Sequence, residues 1–359
     1  MSDYPRPIRY PDQVLPTAPV AAAQRPVTHE MPTTFEEAAP NLMPMIQSRA
    51  MAEARGILIS TETPADRGVI GIPYAEHLAI CVAHDAPETK CYLTASDFDK
   101  WGVPVAEIVQ TAFRNLTQLQ NDFRSQFKDG RVFRSFADDT YDATRLLLPH
   151  SSFEQLPVRG THVAMVPHPN LLLITGDDDP EGLSIVLREA QQLMTEPLAI
   201  GPFTLRRSEV GWEPWSPDYS PEDRRTFDRL MLDTRERDYA RQQKVLADRE
   251  FARPAADQQF IASYKRLRED VVAGIQTMCV WTKNAQSLLP KTDAIAFVAG
   301  KEVKGLVPWS LVADEMKDEL KPVGLYPERY AVRSFPTDAQ LHMLVEEATR
   351  QGVVLDRLR

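Results

Sequence analysis

The sequence predicts an α/β (α+β) protein: two mixed domains joined by a long charged helix, with an extended Pro-rich N-terminal arm. Three observations support this fold class: dense prolines near the N-terminus, interleaved charges over 218–253, and alternating strand-like and helix-like segments on either side of them. The 359 residues are enough for two hydrophobic cores. The predicted boundaries are 1–45 for the arm, 46–216 for the first domain, 217–253 for the helix and 254–359 for the second domain.

The first 45 residues contain nine prolines and little aliphatic periodicity, which predicts extended chain outside any core. Two interpretations remain open. The arm is a disordered tail, or it is a strap laid over this protein or over a partner. The strap would be anchored by its apolar side chains, which are Ile8, Tyr10, Val14, Leu15, Phe35, Leu42, Met43 and Met45.

The first domain is predicted to begin with a helix at 47–55 and a strand at 56–60. A hairpin follows at 77–83 and 89–94, and Pro104 starts an amphipathic helix. Two Phe-rich segments flank a turn at 128–131. Apolar runs at 161–166 and 171–174 flank a Pro-His-Pro-Asn turn and predict a second hairpin. Asp179 should cap the next helix, and edge strands at 203–205 and 212–215 should close the domain.

Residues 218–253 contain nine acidic and nine basic residues, and their apolar side chains form only a thin stripe. This pattern predicts a helix of about 45 Å that bridges the domains or contacts a partner. In the second domain, periodic apolar residues from Phe260 to Ile275 predict a further helix. Residues 277–282 suit either helix or strand. Strands at 294–299 and 329–334, and helices at 310–320 and 337–350, complete the prediction, with a capping box at Thr337.

The segments Tyr-Asp-Ala-Thr-Arg at 141–145 and Val-Pro-His at 166–168 resemble the YtpQ-like family of bacterial proteins. Trp101-Gly102 and the Ala-Phe-Arg-Asn run at 112–115 fit the same pattern. The resemblance covers roughly residues 75–210. The function of that family is itself unknown, so the resemblance assigns no catalytic or binding residue.

The densest group of reactive side chains is Asp138, Asp139, Asp142 and Arg145, followed by His168 in the Pro-bounded turn. Carboxylates and a histidine in this order suit a general base or a divalent metal site, with Asp138, Asp139 and Asp142 as metal ligands. The structural alternative is that Asp138 or Asp139 caps a short helix ending at Leu148 while Asp142 pairs with Arg145.

Other candidate sites are weaker. Cys81, Cys91 and His84 supply only three metal ligands. Asp177 to Asp179 lack the glycine and the glutamate of a calcium loop and suit an N-cap. Trp212 and Trp215 flank Pro214 and are candidates for partner contact together with Ile8, Tyr10, Leu15 and Phe35. No cofactor is predicted, apart from the divalent metal considered above.

The net charge of −10 argues against a nucleic-acid binder, and no apolar run reaches the length of a membrane span. We therefore expect a cytoplasmic protein. The leading hypothesis is a non-enzymatic protein-binding or adaptor protein that contacts its partner through the arm or the charged helix. An acidic chain suits a basic partner, such as a toxin or an assembly subunit. The alternative is a metal-assisted hydrolase that uses Asp138, Asp139, Asp142 and His168.

Overall fold

The computed structural model describes residues 31–62, 71–86, 89–119, 121–125, 130–135, 137, 139–267 and 274–353, with the backbone alone at 57–62 and 125. Helices and strands alternate along this part of the chain, so the mixed α/β class is confirmed. None of the described helices combines the length and the apolar character needed to cross a lipid bilayer.

The first sheet contains four antiparallel strands, with β3 pairing β1, β2 and β4. Its elements and the helices beside it are α1 (Phe35–Ala38), a 3-10 turn (Ala39–Asn41), β1 (Leu42–Ser48), α2 (Arg49–Glu62), β2 (Gly71–Tyr74), β3 (Leu78–Ala86) and β4 (Thr89–Tyr92). The pairing of β3 with β4 confirms the first predicted hairpin.

Two predictions at the start of the chain are wrong. Residues 31–45 are not part of an extended arm: Thr34 caps α1 through a capping box, and all seven residues of β1 are buried. Residues 56–60 are not a strand, because α2 begins at Arg49 and continues through them. The alanines that precede these residues favour helix, and α2 packs against both β3 and the long charged helix. Residues 1–30 lie outside the described residues.

A six-stranded antiparallel sheet follows, in the order β10-β9-β7-β8-β6-β5. Its elements and the helices around it are α3 (Ala95–Trp101), α4 (Val105–Thr117), β5 (Phe123–Ser125), β6 (Phe133–Ser135), 3-10 turns (Ala143–Leu147 and His150–Ser152), β7 (His162–His168), β8 (Leu171–Gly176), α5 (Pro180–Leu193), β9 (Thr204–Arg207) and β10 (Trp212–Pro214). The predicted hairpin of β7 and β8 and the Asp179 cap of α5 are confirmed. Only β10 of the last two strands is an edge strand, because β9 lies between β10 and β7.

The next element is α6 (Pro221–Phe251), which Ser220 caps through its hydroxyl. Its buried positions recur every four residues and are mostly polar: Leu230, Thr234, Asp238, Gln242 and Leu246. Tyr239 is buried beside them. Because residues four apart share one helix face, this row directs polar side chains into the protein.

The C-terminal part contains two four-stranded sheets, ordered β11-β14-β18-β17 and β12-β13-β15-β16. Its elements are a 3-10 turn (Ala255–Asp257), β11 (Phe260–Ile261), β12 (Lys265–Arg266), β13 (Thr277–Thr282), β14 (Ser287–Pro290), β15 (Ala294–Ala299), β16 (Glu302–Pro308), α7 (Trp309–Glu315), β17 (Lys321–Pro322), β18 (Arg329–Val332) and α8 (Asp338–Arg350). Residues 277–282 form a strand, and the Thr337 capping box of α8 is confirmed.

The helix predicted after Pro254 is wrong for residues 260–267, and residues 268–273 lie outside the described residues. Phe260 and Ile261 form β11, which pairs in parallel with β14, and residues 265–266 pair with β13. These pairings with distant strands override the local helical periodicity. One large hydrophobic core joins the two sheets of the N-terminal part, and a separate core fills the C-terminal part.

Candidate functional site

The predicted Asp cluster is organised by Arg145, whose side chain is fully buried. Its guanidinium donates to both oxygens of Asp139, at 2.8 Å to Oδ1 and 2.5 Å to Oδ2. Burial acts to raise the pKa of Asp139, but the hydrogen bonds from Arg145 and from the Tyr141 amide outweigh it and hold the pKa below its usual value. Asp139 is therefore a charged structural partner of Arg145.

Asp142 occupies the position before the 3-10 turn Ala143–Leu147, without a capping hydrogen bond from its side chain. The prediction that Asp138 or Asp139 caps this short helix is wrong for Asp139. Asp138 lies outside the described residues. Asp142 Oδ1 lies 3.8 Å from Arg145, and burial raises the pKa of Asp142. The predicted Asp142–Arg145 pair is thus present but long, and the shorter contact of Arg145 is with Asp139.

His168 ends β7, and its Nδ1 accepts a hydrogen bond of 3.2 Å from the Asn170 amide. Burial lowers its pKa. The next residue, Pro169, accepts from the Ala143 amide at 3.2 Å, so the turn docks on the segment that carries Asp142. Within the described residues, no group of three His, Cys, Asp or Glu side chains is arranged to hold a metal ion.

The predicted partner-binding residues have different environments. Trp212 is only 4% exposed and packs edge-on against Phe153 at 5.4 Å between ring centroids, so its assignment to a partner surface is wrong. Phe35 is half-buried against Trp101, and Trp215 is half-buried beneath the Arg206 guanidinium. Ile8, Tyr10 and Leu15 lie outside the described residues.

A cleft of about 650 Å³, the central cleft, lies where the N-terminal part, α6 and the C-terminal part meet. The N-terminal part contributes Arg49, Glu76, His77 and Phe203. The middle of α6 contributes Arg235, Asp238 and Tyr239, and the C-terminal part contributes a wall that includes Tyr264, Lys291, Asp293, Tyr326, Glu328 and Arg329. Clefts of this volume at the meeting of separate cores are common ligand sites.

His77 lies at the N-terminal wall of the central cleft. Its ring stacks on Phe203 at 3.8 Å between centroids, and its Nδ1 lies 2.5 Å from the Tyr326 hydroxyl of the opposite wall. Burial and the nearby guanidinium groups of Arg235 and Arg49 lower the pKa of His77 to about 4. His77 is therefore neutral near pH 7, and its 3.7 Å approach to Glu76 is not an ion pair there.

Asp238 lies on the buried face of α6 and is 3% exposed. Its Oδ1 is 3.4 Å from Arg237 Nε and 3.8 Å from an Arg241 nitrogen. Burial raises the pKa of Asp238 to about 6, and the two arginines oppose that rise only in part. Asp238 therefore changes charge close to neutral pH.

The floor of the cleft is rigidly held. Tyr239 stacks on Tyr264 at 4.8 Å, and its hydroxyl donates to the Glu328 carbonyl at 2.9 Å. Arg329, which is 1% exposed, donates to Gln242 at 2.6 Å and to two backbone carbonyls. Burial lowers the pKa of Arg329 to about 10. These contacts tie α6 to β18 and fix the aromatic floor.

The cations of the cleft are largely engaged within the protein. Arg49 donates to Glu53 at 2.9 Å and covers the Tyr326 ring, and Lys291 covers the Trp309 ring at 4.7 Å. Arg235 makes no hydrogen bond or ion pair with any described residue.

Three exposed carboxylates keep oxygens that accept no hydrogen bond from the described residues. The Glu76 carboxylate accepts none, and the Glu328 carboxylate accepts only from the Tyr330 hydroxyl. Asp293 uses Oδ2 alone, to hold the start of β13. The lining of the cleft thus offers three carboxylates with unused oxygens and two cations, Arg235 and Lys291, whose side chains make no hydrogen bond or ion pair with the described residues.

The central cleft was not predicted, because its residues come from eight separated segments of the chain. One signal was present in the sequence: the row Thr234, Asp238 and Gln242 repeats every four residues, which marks a polar face of α6 with internal partners.

Searches against protein-family models, curated proteins and solved structures found no match to this chain. The resemblance to the YtpQ-like family stays a prediction.

Proposed function

We propose that this is a non-enzymatic protein-binding or adaptor protein that holds a basic segment of a partner in the central cleft. In this proposal the N-terminal and C-terminal parts are two domains joined by α6, and the protein acts in the cytoplasm. A toxin or an assembly subunit with an exposed basic segment would be a partner of this kind.

The observation that carries the proposal is the comparison of carboxylates and cations in the cleft that have no partner among the described residues. Among the described residues, Glu76, Asp293 and Glu328 each keep a carboxylate oxygen for a ligand. Of the cations, Arg49 and Arg329 donate to protein acceptors, Lys291 lies over the Trp309 ring, and only Arg235 makes none of these contacts. Lysine and arginine donate three and five hydrogen-bonding N–H groups, so these acceptors suit basic side chains.

The aromatic side chains of the cleft support the same ligand class. Phe203, Tyr264 and Tyr326 line it from both walls, and one face of each ring is already covered, by His77, Tyr239 and Arg49 respectively. Faces of aromatic rings attract guanidinium and ammonium groups, and a cation that leaves water gains most from such contacts. The net charge of −10 adds long-range attraction for a basic partner.

A random peptide library displayed on phage tests the proposal even though the partner is unidentified. Full-length protein should enrich peptides rich in lysine and arginine. The double variant Glu76→Lys/Glu328→Lys should lose that enrichment, because it places two cations where the peptide cations would bind. The matched control is Glu209→Lys, which changes an exposed carboxylate in the turn before β10, outside the cleft lining.

Absence of basic peptides from the wild-type selection would contradict the proposal. Equal enrichment by the wild type and the double variant would place binding elsewhere on the protein.

The hydrolase alternative, based on Asp138, Asp139, Asp142 and His168, has less support from the geometry. Arg145 takes both oxygens of Asp139, and His168 Nδ1 accepts from a backbone amide. A metal ion would therefore compete with a buried guanidinium for its ligands.

A further inference from the structure

A second cavity, of about 240 Å³, opens between β1, α2, β4 and the turn that follows His168. It shares no lining residue with the central cleft. Its apolar wall includes Met45, Met51 and Leu198, and its polar wall includes Gln47, Arg55 and Lys90. An engineered cavity of about 150 Å³ is large enough to hold benzene, so this one has room for a small organic molecule.

Gln47 lines the cavity and carries a buried donor without an acceptor. Its side chain is 4% exposed, and its Oε1 accepts a hydrogen bond of 3.1 Å from Arg55. Its Nε2 is buried with no hydrogen-bond partner. The orientation of the Gln47 side-chain amide is fixed, because a flipped amide would point its NH2 group at the Arg55 N–H donor. A buried donor left without a partner is costly, so a ligand acceptor here is favoured.

Two cations lie on the same wall. Arg55 donates to Gln47 and covers the Tyr92 ring at 5.1 Å, and it makes no ion pair with a carboxylate of the described residues. Lys90 donates to Thr140 at 2.5 Å and covers the Tyr141 ring at 3.6 Å. Its distance from Asp85 Oδ2 is 4.0 Å, and that oxygen already accepts from the Tyr141 hydroxyl.

The charges around the polar wall favour an anion. Asp85 offsets only one of the two cations, and Asp139 is engaged by Arg145. Burial lowers the pKa of Lys90, as is usual for a cation that has lost hydration without full compensation. A ligand carboxylate would supply the missing negative charge and an acceptor for Gln47 Nε2.

We infer that this cavity binds a small monocarboxylic acid, with its carboxylate at Gln47, Arg55 and Lys90 and its apolar chain against Met45, Met51 and Leu198. The apolar lining favours an uncharged chain over a second charged group in contact with it. The ligand class is therefore a short fatty or aromatic acid.

Hexanoate is the probe, and hexanamide, which has the same chain and no charge, is its control. Methyl-labelled methionine NMR of the full chain gives a local readout. Hexanoate should shift the Met45 and Met51 methyl signals and leave that of Met343, exposed on α8, unchanged. Hexanamide should bind at least about tenfold more weakly, as expected when hydrogen bonds to a charged group are lost.

Two variants test the polar wall. Lys90→Met should weaken hexanoate binding by about tenfold or more, while Lys317→Met, an exposed site on another part of the chain, should leave it unchanged. Gln47→Met should also weaken binding, and its melting temperature is measured beside that of the wild type. This separates lost binding from lost folding.

Equal affinity for hexanoate and hexanamide would overturn the assignment to a carboxylate. Shifts of Met343 together with Met45, or no shift at all, would overturn the site. Neither outcome bears on peptide binding in the central cleft.

Discussion

His77 and Tyr326 come from opposite walls of the central cleft and share a hydrogen bond, with 2.5 Å between His77 Nδ1 and the Tyr326 hydroxyl. The two residues are 249 positions apart in the chain. Glu53 reinforces the contact by accepting from the Tyr326 amide at 2.6 Å. Side chains of the N-terminal part and the C-terminal part are therefore in direct contact across the cleft.

The first prediction concerns the pH dependence of stability at His77. Its pKa in the folded protein is about 4, below the ordinary value of 6.5, so the unfolded chain binds the proton more strongly. The free energy of unfolding should therefore fall as the pH drops from 6.5 to 4. The difference between the two pKa values corresponds to about 3 kcal/mol at most.

Urea unfolding of His77→Gln across this pH range should show a smaller loss of stability than the wild type. The control is His342→Gln, which changes an exposed histidine on α8 and should follow the wild-type curve. Parallel curves for His77→Gln and the wild type would contradict the lowered pKa.

The second prediction is that Asp238 changes the pH dependence of stability in the opposite direction to His77. Its pKa of about 6 exceeds the ordinary 3.8, so the folded protein binds the proton more strongly. The stability associated with this group is complete below pH 3.8 and is lost as the pH rises through 6. Asp238→Asn removes this dependence, and its stability relative to the wild type should increase by about 2–3 kcal/mol between pH 4 and pH 7. Asp228→Asn, exposed on the same helix, should show no such trend.

The third prediction concerns the Arg145–Asp139 pair. Arg145→Leu should lower the free energy of unfolding by about 1.5–3 kcal/mol, because it removes the hydrogen bonds between a buried guanidinium and the Asp139 carboxylate, which is 29% exposed. Chemical denaturation provides the measurement. Arg124→Leu breaks an exposed pair with Asp122 and should leave the unfolding midpoint nearly unchanged. Similar midpoints for both variants would argue against a structural role for Arg145.

The fourth prediction separates the structural and hydrolytic interpretations of the Asp cluster. Equilibrium dialysis with Mn²⁺ should give the same metal content for the wild type, Asp139→Asn and Asp142→Asn, because Arg145 already neutralises Asp139. A stoichiometric ion in the wild type that both substitutions remove would restore the metal-assisted hydrolase.

The local sequence was sufficient where one element determines its own structure. The β7–β8 hairpin follows from two apolar runs around Pro167 and Pro169, and the cap of α5 follows from Asp179. Capping and turn signals depend on a few neighbouring residues, so they are visible before the tertiary fold is considered.

The sequence was misleading where contacts with distant elements of the fold determine the secondary structure. Phe260 and Ile261 fit a helical period, yet β11 pairs with β14 across more than twenty residues of chain. The isoleucines and leucine at 57–59 favour a strand, yet α2 continues through them because it packs on α6. The central cleft was missed for the same reason: His77, Arg235 and Tyr326 meet only after both cores have formed.

The affinity of one lysine-rich and arginine-rich peptide recovered by selection tests the central claim most directly. Fluorescence anisotropy would measure its Kd for the wild type, for Glu76→Lys/Glu328→Lys and for Glu209→Lys. We predict at least about tenfold weaker binding by the double variant, because like charges across an interface are strongly unfavourable, and an unchanged Kd for Glu209→Lys. Equal Kd values for the wild type and the double variant would contradict binding in the central cleft.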